Sequence, residues 1–498
     1  MRRPLIVSLV LAFACGGNKG APSYKDAANK CASPRTGSDP ITLKAYPDKP
    51  GSLNDEKTWL RGWIDDFYLW YREVPTVDPS QYSTAVTYFM ALKTQAITAS
   101  NKPKDQFHFT YDTVVWEQLS QSGVEAGYGA TWALVATSPP RLVYVAYTEP
   151  NSPATSANLT RGAQVIQVDS AAMVNGDKNV LNAGLFPSTI GETHTFVVQD
   201  RGSSTTRTFT MTSAPVTSTP VQNVHFLPNP DTTIKVGYML FNSHIATAEK
   251  GLIDAITALK GATDLVLDLR YNGGGYLAIA SELAYMIAKP SVTSGKTFEK
   301  TMFNDKYPNI DPIGGNPVTT PFFSQSMGFS GSTVALPHLD LDRVFVLTGG
   351  STCSASESVI NGLLGVGVTV VQIGHTTCGK PYGFYPAPNC GTTYFSIQFQ
   401  GVNDKGFGDY ADGFTPSGSG TAGATAATLP GCYVADDFGH DLGDPAETRL
   451  AVALAFRSGS PCPARTSRNL ALVAGGGAED VTLVRNPFLE NRILWRPQ

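Results

Sequence analysis

A layered α/β core, preceded by a helical cap and a β-rich domain, is the architecture this sequence predicts. Three observations carry it. From residue 219 to 460 short apolar strands alternate with amphipathic helical stretches. From 115 to 218 the pattern is period-two alternation broken by Gly, Pro and Asn turns. The 498 residues exceed what one ordinary core can use. The chain divides into an export signal (1–14), a flexible tether (15–50), an N-terminal helical cap (51–114), a β-domain (115–218), the α/β core (219–462) and a C-terminal extension (463–498) to which the sequence assigns no role.

The export signal is read from Arg2 and Arg3, the apolar run Leu5 to Ala14, and then Cys15-Gly16-Gly17. So short a run cannot span a bilayer as a permanent helix, which takes about 20 residues. The position of Cys15 resembles a bacterial lipobox, in which that cysteine becomes the lipidated first residue. Ala12-Phe13-Ala14 would also serve ordinary signal peptidase. The expectation is an extracytoplasmic lipoprotein facing the periplasm or the surface, with a periplasmic or secreted form as the alternative. The tether is Gly-, Ser-, Pro-, Lys- and Asp-rich and lacks periodicity. Apart from Cys15, six cysteines remain (Cys31, Cys353, Cys378, Cys390, Cys432 and Cys462). In an exported chain an even count favours disulfides, with the pairing left open. No CxxC or HExxH pattern supports a metal site, and no cofactor motif is found. Charged residues make up only 16%, the net charge is −4, and basic residues form no stripe, which excludes a nucleic-acid partner.

In the cap, Trp59, Trp63, Phe67 and Trp70-Tyr71 recur at helical spacing behind Asp55 and Glu56, which suit a helix N-terminus. The expectation is that this aromatic stripe packs rather than binds a ligand. The β-domain shows alternating runs at Leu142–Tyr147, Gln164–Asp169, Thr195–Gln199 and Thr206–Thr212. Within it, Asn151-Ser152-Pro153-Ala154, Asn158-Leu159 and Arg161-Gly162-Ala163-Gln164-Val165-Ile166 resemble the PDZ pattern. Gly127-Tyr128-Gly129-Ala130 lies where a PDZ domain places its carboxylate-binding loop, whose backbone N–H groups receive a peptide terminus. The blander reading is a small β-domain without a ligand.

The core reads as a strand at Lys235–Phe241, a helix at Ala248–Lys260, a strand at Asp264–Arg270, a helix at Leu277–Ala288, a strand at Arg343–Thr348, a helix at Ala355–Leu364 and a strand at Val368–Ile373. Two Gly-rich strand-to-helix turns interrupt it: Asp268-Leu269-Arg270-Tyr271-Asn272-Gly273-Gly274-Gly275 and Gly349-Gly350-Ser351-Thr352-Cys353-Ser354-Ala355-Ser356-Glu357. Such turns aim backbone N–H groups at developing negative charge and expose a hydroxyl as a nucleophile. Neither matches a P-loop or a dinucleotide fingerprint. Lys380 follows Ser354 by 26 positions in an uncharged stretch. A serine needs a base, and a lysine serves only when neutral, which requires desolvation. His375 offers a competing Ser-His scheme, and Cys353 is read as a disulfide or a buried thiol rather than a catalytic group.

Together these segments resemble family S41, the C-terminal-processing or tail-specific peptidases. Asp268 to Gly275 is similar to that family's DLR.N.GG segment, Ser354-Ala355-Ser356-Glu357 to its SASE motif, and Gly379-Lys380 to its GK. Asp409-Tyr410 to Pro416, Cys432 and Leu442-Gly443-Asp444-Pro445 resemble later parts of the family, and Trp70 to Pro75 resembles its helical cap. The resemblance spans about residues 55 to 455 and implies a core of the ClpP/crotonase-like type and a Ser/Lys acyl-enzyme mechanism. Ser354 would be the nucleophile and Lys380 its base. Ala355 with Gly273 or Gly274 would form the oxyanion hole, and Glu357 would support the first helical turn. Many members carry a glutamine four residues after the lysine; here Phe384 stands there. The function implied is an endopeptidase acting near unstructured or C-terminal segments of polypeptides. A non-catalytic peptide-binding protein and a small-ester hydrolase of crotonase-like architecture are the alternatives. Retention of Ser354 and Lys380 speaks against the first, and the PDZ-like segment against the second.

Overall fold

The computed structural model describes residues 23–464 apart from 99, 119, 121–122, 188, 316 and 330, together with the backbone of 482–484 and 492–493. Cys15 and the export signal lie outside the described residues. No helix among those described is long and apolar enough to cross a membrane.

The segment read as a tether is folded from residue 23. Lys30-Cys31 pairs with Lys49-Pro50, Arg35 grips Asp48 through two bonds of 2.9 and 2.8 Å, and Cys31 is joined to Cys390. Polar composition hid this, because a disulfide and an ion pair do here what an apolar core does elsewhere. The other bridges are Cys353–Cys378 and Cys432–Cys462.

The cap contains α1 (Leu53–Phe67) and α2 (Ala85–Ala91). Ser52 starts α1 with a reciprocal cap: its hydroxyl accepts the Asp55 N–H, and the Asp55 carboxylate accepts the Ser52 N–H at 2.9 Å. The aromatic stripe faces inward. Trp59 and Trp63 stack at 5.6 Å, and they meet Tyr394 and Phe89.

The β-domain comprises β1 (Val124–Gly127), β2 (Ala130–Ala136), β3 (Leu142–Thr148), β4 (Gln164–Val168), β5 (Thr193–Gln199), β6 (Thr206–Thr212) and β7 (Ala214–Thr217). Strands β6-β5-β4-β3-β2 form one antiparallel sheet, and β1 pairs with β7. Trp132 stacks on Phe196 at its centre.

The core sheet runs β8 (Val221–Phe226), β9 (Val236–Phe241), β10 (Asp264–Asp268), β12 (Arg343–Thr348), β13 (Thr369–Gly374) and β15 (Gly431–Tyr433), with the two-residue strands β11 (Gly275–Tyr276) and β14 (Tyr382–Gly383) outside it. All its pairings are parallel except β8 with β9. Every residue of β9 and β10 is buried, as both faces of a parallel sheet must be. The two-residue period divides them. Met239, Phe241, Leu265 and Leu267 face the helices α3 (Ala248–Ala258), α4 (Leu277–Ile287) and α5 (Ala355–Gly365). Tyr238, Leu240 and Val266 face α6 (Thr448–Arg457) and the β-domain residues Ala133, Tyr144 and Ala146.

A buried ionic knot fastens the β-domain to the core. Arg270 binds Asp268 (3.0 Å), Asp436 (2.8 Å) and both oxygens of Glu447 (2.8 and 2.9 Å). Arg161, from the β-domain, binds Asp436 at 2.8 Å and donates to the Tyr271 hydroxyl, which itself binds Asp436. Burial alone would raise the pKa of Asp436, but Arg161, Arg449 and Arg270 together hold it far below the usual carboxylate range. Arg270→Met leaves Asp268 and Glu447 buried without their cation, so a loss of about 3–5 kcal/mol is expected in urea unfolding. Arg72→Ala, which breaks an exposed pair with Asp305, is the control at under about 1 kcal/mol. Equal effects from the two variants would refute the knot's structural role.

Candidate active site

The site lies where the carboxyl ends of β10 and β12 present their Gly-rich turns side by side, the usual place for ligands in an open α/β sheet. The turns are bonded to each other. The Asn272 carbonyl accepts the Cys353 N–H and the Ser356 hydroxyl, each at 3.0 Å, and the Leu269 carbonyl accepts the Thr352 hydroxyl at 2.8 Å. Ser354 sits at the N-cap of α5 with φ 59° and ψ −112°, a conformation that non-glycine residues rarely adopt. Strain of this kind costs about 1–3 kcal/mol and clusters at functional turns. Ser354 and Lys380 are both fully buried.

Glu357 joins the two halves of the site. Its carboxylate accepts the N–H of Ser354 at 2.9 Å, those of Gly379 and Lys380 at 2.8 Å each, and the Thr377 hydroxyl at 2.5 Å. Burial pushes its pKa up, and the four donors pull against that. The sequence suggested a supporting residue within one helical turn; the structure makes it a clamp between the Ser354 turn and the Lys380 segment. A covalent clamp runs parallel to it, since Cys353 and Cys378 flank the same two segments and are bonded. Both sulfurs lie near the Glu357 carboxylate, in a grouping that could otherwise hold a metal ion. As a disulfide they are not available as thiolate ligands.

The Lys380 amine lies 4.4 Å from the centre of the Phe107 ring and 4.9 Å from that of Phe384. Phe384 belongs to a buried aromatic cluster with Trp116 and Phe395. Where the family pattern has a polar glutamine, this chain therefore builds an aromatic wall. Phe107 carried no signal in the sequence, since it reaches Lys380 only through tertiary folding.

Two open choices are narrowed. Gly274 was a candidate oxyanion donor, but its N–H is engaged by the Asn272 side chain at 2.9 Å, whereas Gly273 is not so tied. His375 packs edge-on against Tyr433, and its backbone N–H donates to the Thr348 carbonyl. The histidine coupled to the Gly-rich turn is His244, which the sequence reading passed over. Its Nδ1 meets the Asn272 Oδ1 at 3.0 Å, while the Asn272 amide donates to the Phe241 carbonyl. That network places the proton on Nδ1. Burial lowers the pKa of His244 to about 3 despite the Asn272 bond, so the ring is neutral. Its Nε2 is buried without a hydrogen-bond partner among the described residues.

In the Gly127–Ala130 segment the Tyr128 ring is buried against Phe196, and the carbonyls of Tyr128 and Gly129 accept the N–H groups of Ala154 and Glu149. Gly129 has φ +73°, and a Cβ there would meet Ser152 at 2.4 Å, so glycine is required. Turned this way, the segment forms a tight corner leading into β2.

The model of peptidase family S41 matches residues 235–384, and that of the peptidase S41 N-terminal domain matches residues 55–111. No curated protein matches the chain. Among solved structures, one described as an S41 protease of Bacteroides fragilis NCTC 9343 is 24% identical with a TM-score of 0.59, covering 83% of this chain and 98% of its own. The photosystem II D1 C-terminal processing protease is 18% identical with a TM-score of 0.44, covering 74% and 92%. The first likeness supports the fold; the matched spans contain the cap, both Gly-rich turns and Lys380. Residues 235–384 are thus identified with the peptidase S41 family model and residues 55–111 with the S41 N-terminal domain.

Proposed function

We propose that the protein is an exported serine endopeptidase in which Ser354 attacks the scissile carbonyl and Lys380 takes and returns its proton. One observation carries this reading: a single buried carboxylate, Glu357, binds the backbone N–H groups of both residues. Full burial is a setting in which an amine can give up its charge and act as a base, although the faces of Phe107 and Phe384 favour the cation. The N–H groups of Ala355 and Gly273 would receive the oxyanion. The β-domain acts as a PDZ-like dock, with the Gly127–Ala130 corner and the β2 edge taking the end of a polypeptide. Incubation with unfolded casein or an apolar-tailed peptide tests the reading: the parent protein cuts, and failure to cut ends it. The Phe384 wall favours the second reading, a peptide-binding member without catalysis, for which binding would persist and cutting would be absent.

Cys15 is the proposed point of lipid attachment, and it supports an extracytoplasmic, membrane-tethered location. Palmitate labelling of the expressed protein should vanish in Cys15→Ser. Equal labelling in both forms, or none in the parent, would reject the anchor.

A further inference from the structure

The C-terminal segment, silent in the sequence, returns to the proposed substrate path at two points. Strand β16 (Thr482–Val484) pairs antiparallel with β2, setting Thr482, Leu483 and Val484 opposite Leu134, Ala133 and Trp132. Strand β17 (Arg492–Ile493) pairs in parallel with β11, setting Arg492 opposite Gly275 and Ile493 opposite Tyr276. It also lies against β14, just past Lys380. The first contact is on the strand that follows the Gly127–Ala130 corner. The second lies between the Gly-rich turn and the lysine segment.

We infer that the strands β16 and β17 act as an intramolecular ligand at two points of the track a polypeptide substrate would take. This rests on the endopeptidase reading for what the track does, but not for the binding itself. Extended peptides bind by adding a strand to an exposed sheet edge, and β16 does this in cis on β2. Strand β11 is paired on its other side by His244, whose carbonyl accepts the Tyr276 N–H at 2.8 Å, so β17 takes the side that remains. The full burial of Ser354 and Lys380 agrees with a covered site. Tethering gives the contact its strength. The Cys432–Cys462 disulfide anchors the chain beside β15, 20 positions before Thr482, and covalent linkage over such a distance corresponds to an effective concentration on the order of 1 mM. If a two-strand contact of this size has a Kd near ~100 μM, an incoming peptide binds roughly tenfold more weakly while the segment is in place.

The test uses the full chain and needs no catalysis. Ser354→Ala is compared with Ser354→Ala carrying Leu483→Pro and Val484→Pro, which remove ladder donors from β16 without touching the track. The probe is a fluorescently labelled synthetic peptide of residues 480–495. The proline pair should bind it about tenfold more tightly, and hydrogen exchange of residues 130–136 should quicken in the absence of the probe. Unchanged affinity or unchanged exchange overturns the inference, whether or not the parent cuts casein. Should the proline pair impair folding, the single variant Leu483→Pro is read by the same two measurements and the same criteria.

Discussion

Ser354→Ala and Lys380→Ala are each expected to abolish casein cleavage, with kcat/KM falling by on the order of 10⁴-fold or more and KM changing little. The reason is chemical. Without the hydroxyl no acyl-enzyme forms, and without the amine the hydroxyl keeps its proton at neutral pH. The double variant should be no worse than the poorer single one, because groups that act as a unit lose their effect together. Lys380→Arg should not rescue activity, since a guanidinium stays protonated and cannot act as a base. A lysine variant retaining more than about a tenth of parental kcat would show that another group takes the proton. His244 would then be examined first, because its neutral ring sits one hydrogen bond from Asn272.

Glu357→Gln is expected to lower kcat by about 10²–10³-fold while leaving KM within about threefold, the signature of a residue that positions the reacting groups rather than binding substrate. All four hydrogen bonds are donated to the carboxylate. A glutamine supplies one acceptor oxygen and turns an NH₂ group toward existing donors. Two buried N–H groups then go unpaired, at about 1–3 kcal/mol each in stability. Glu357→Asp keeps the charge but is one methylene short, so it should fall between the parent and the glutamine variant. A glutamine variant with lowered stability but unchanged kcat would reduce Glu357 to a purely structural role.

Much of the architecture could be read directly, because strands buried on both faces leave apolar runs, as in β9, β10 and β12. The Gly-rich turns were legible for a related reason: a chain that must bend sharply from strand to helix needs particular residues at particular places. What escaped was non-local. Phe107 reaches Lys380 from a distant segment and nothing in its neighbourhood marks it as a wall residue, whereas Phe384 stood out in the sequence but its packing with Phe395 and Trp116 did not. His244 follows an apolar strand and looks like any core histidine until Asn272 arrives beside it. Residues 23–50 looked structureless because cross-links to distant sequence, rather than local periodicity, give them shape.

The bond between Cys31 and Cys390 spans 359 positions and encloses the β-domain, both Gly-rich turns and Lys380 in one covalent ring. The bond between Cys432 and Cys462 makes a second ring that holds Asp436 and Glu447. A single cut of the backbone inside either ring therefore leaves both pieces attached, and nicked molecules stay whole. That topology confers tolerance of backbone damage that hydrogen bonds alone would not.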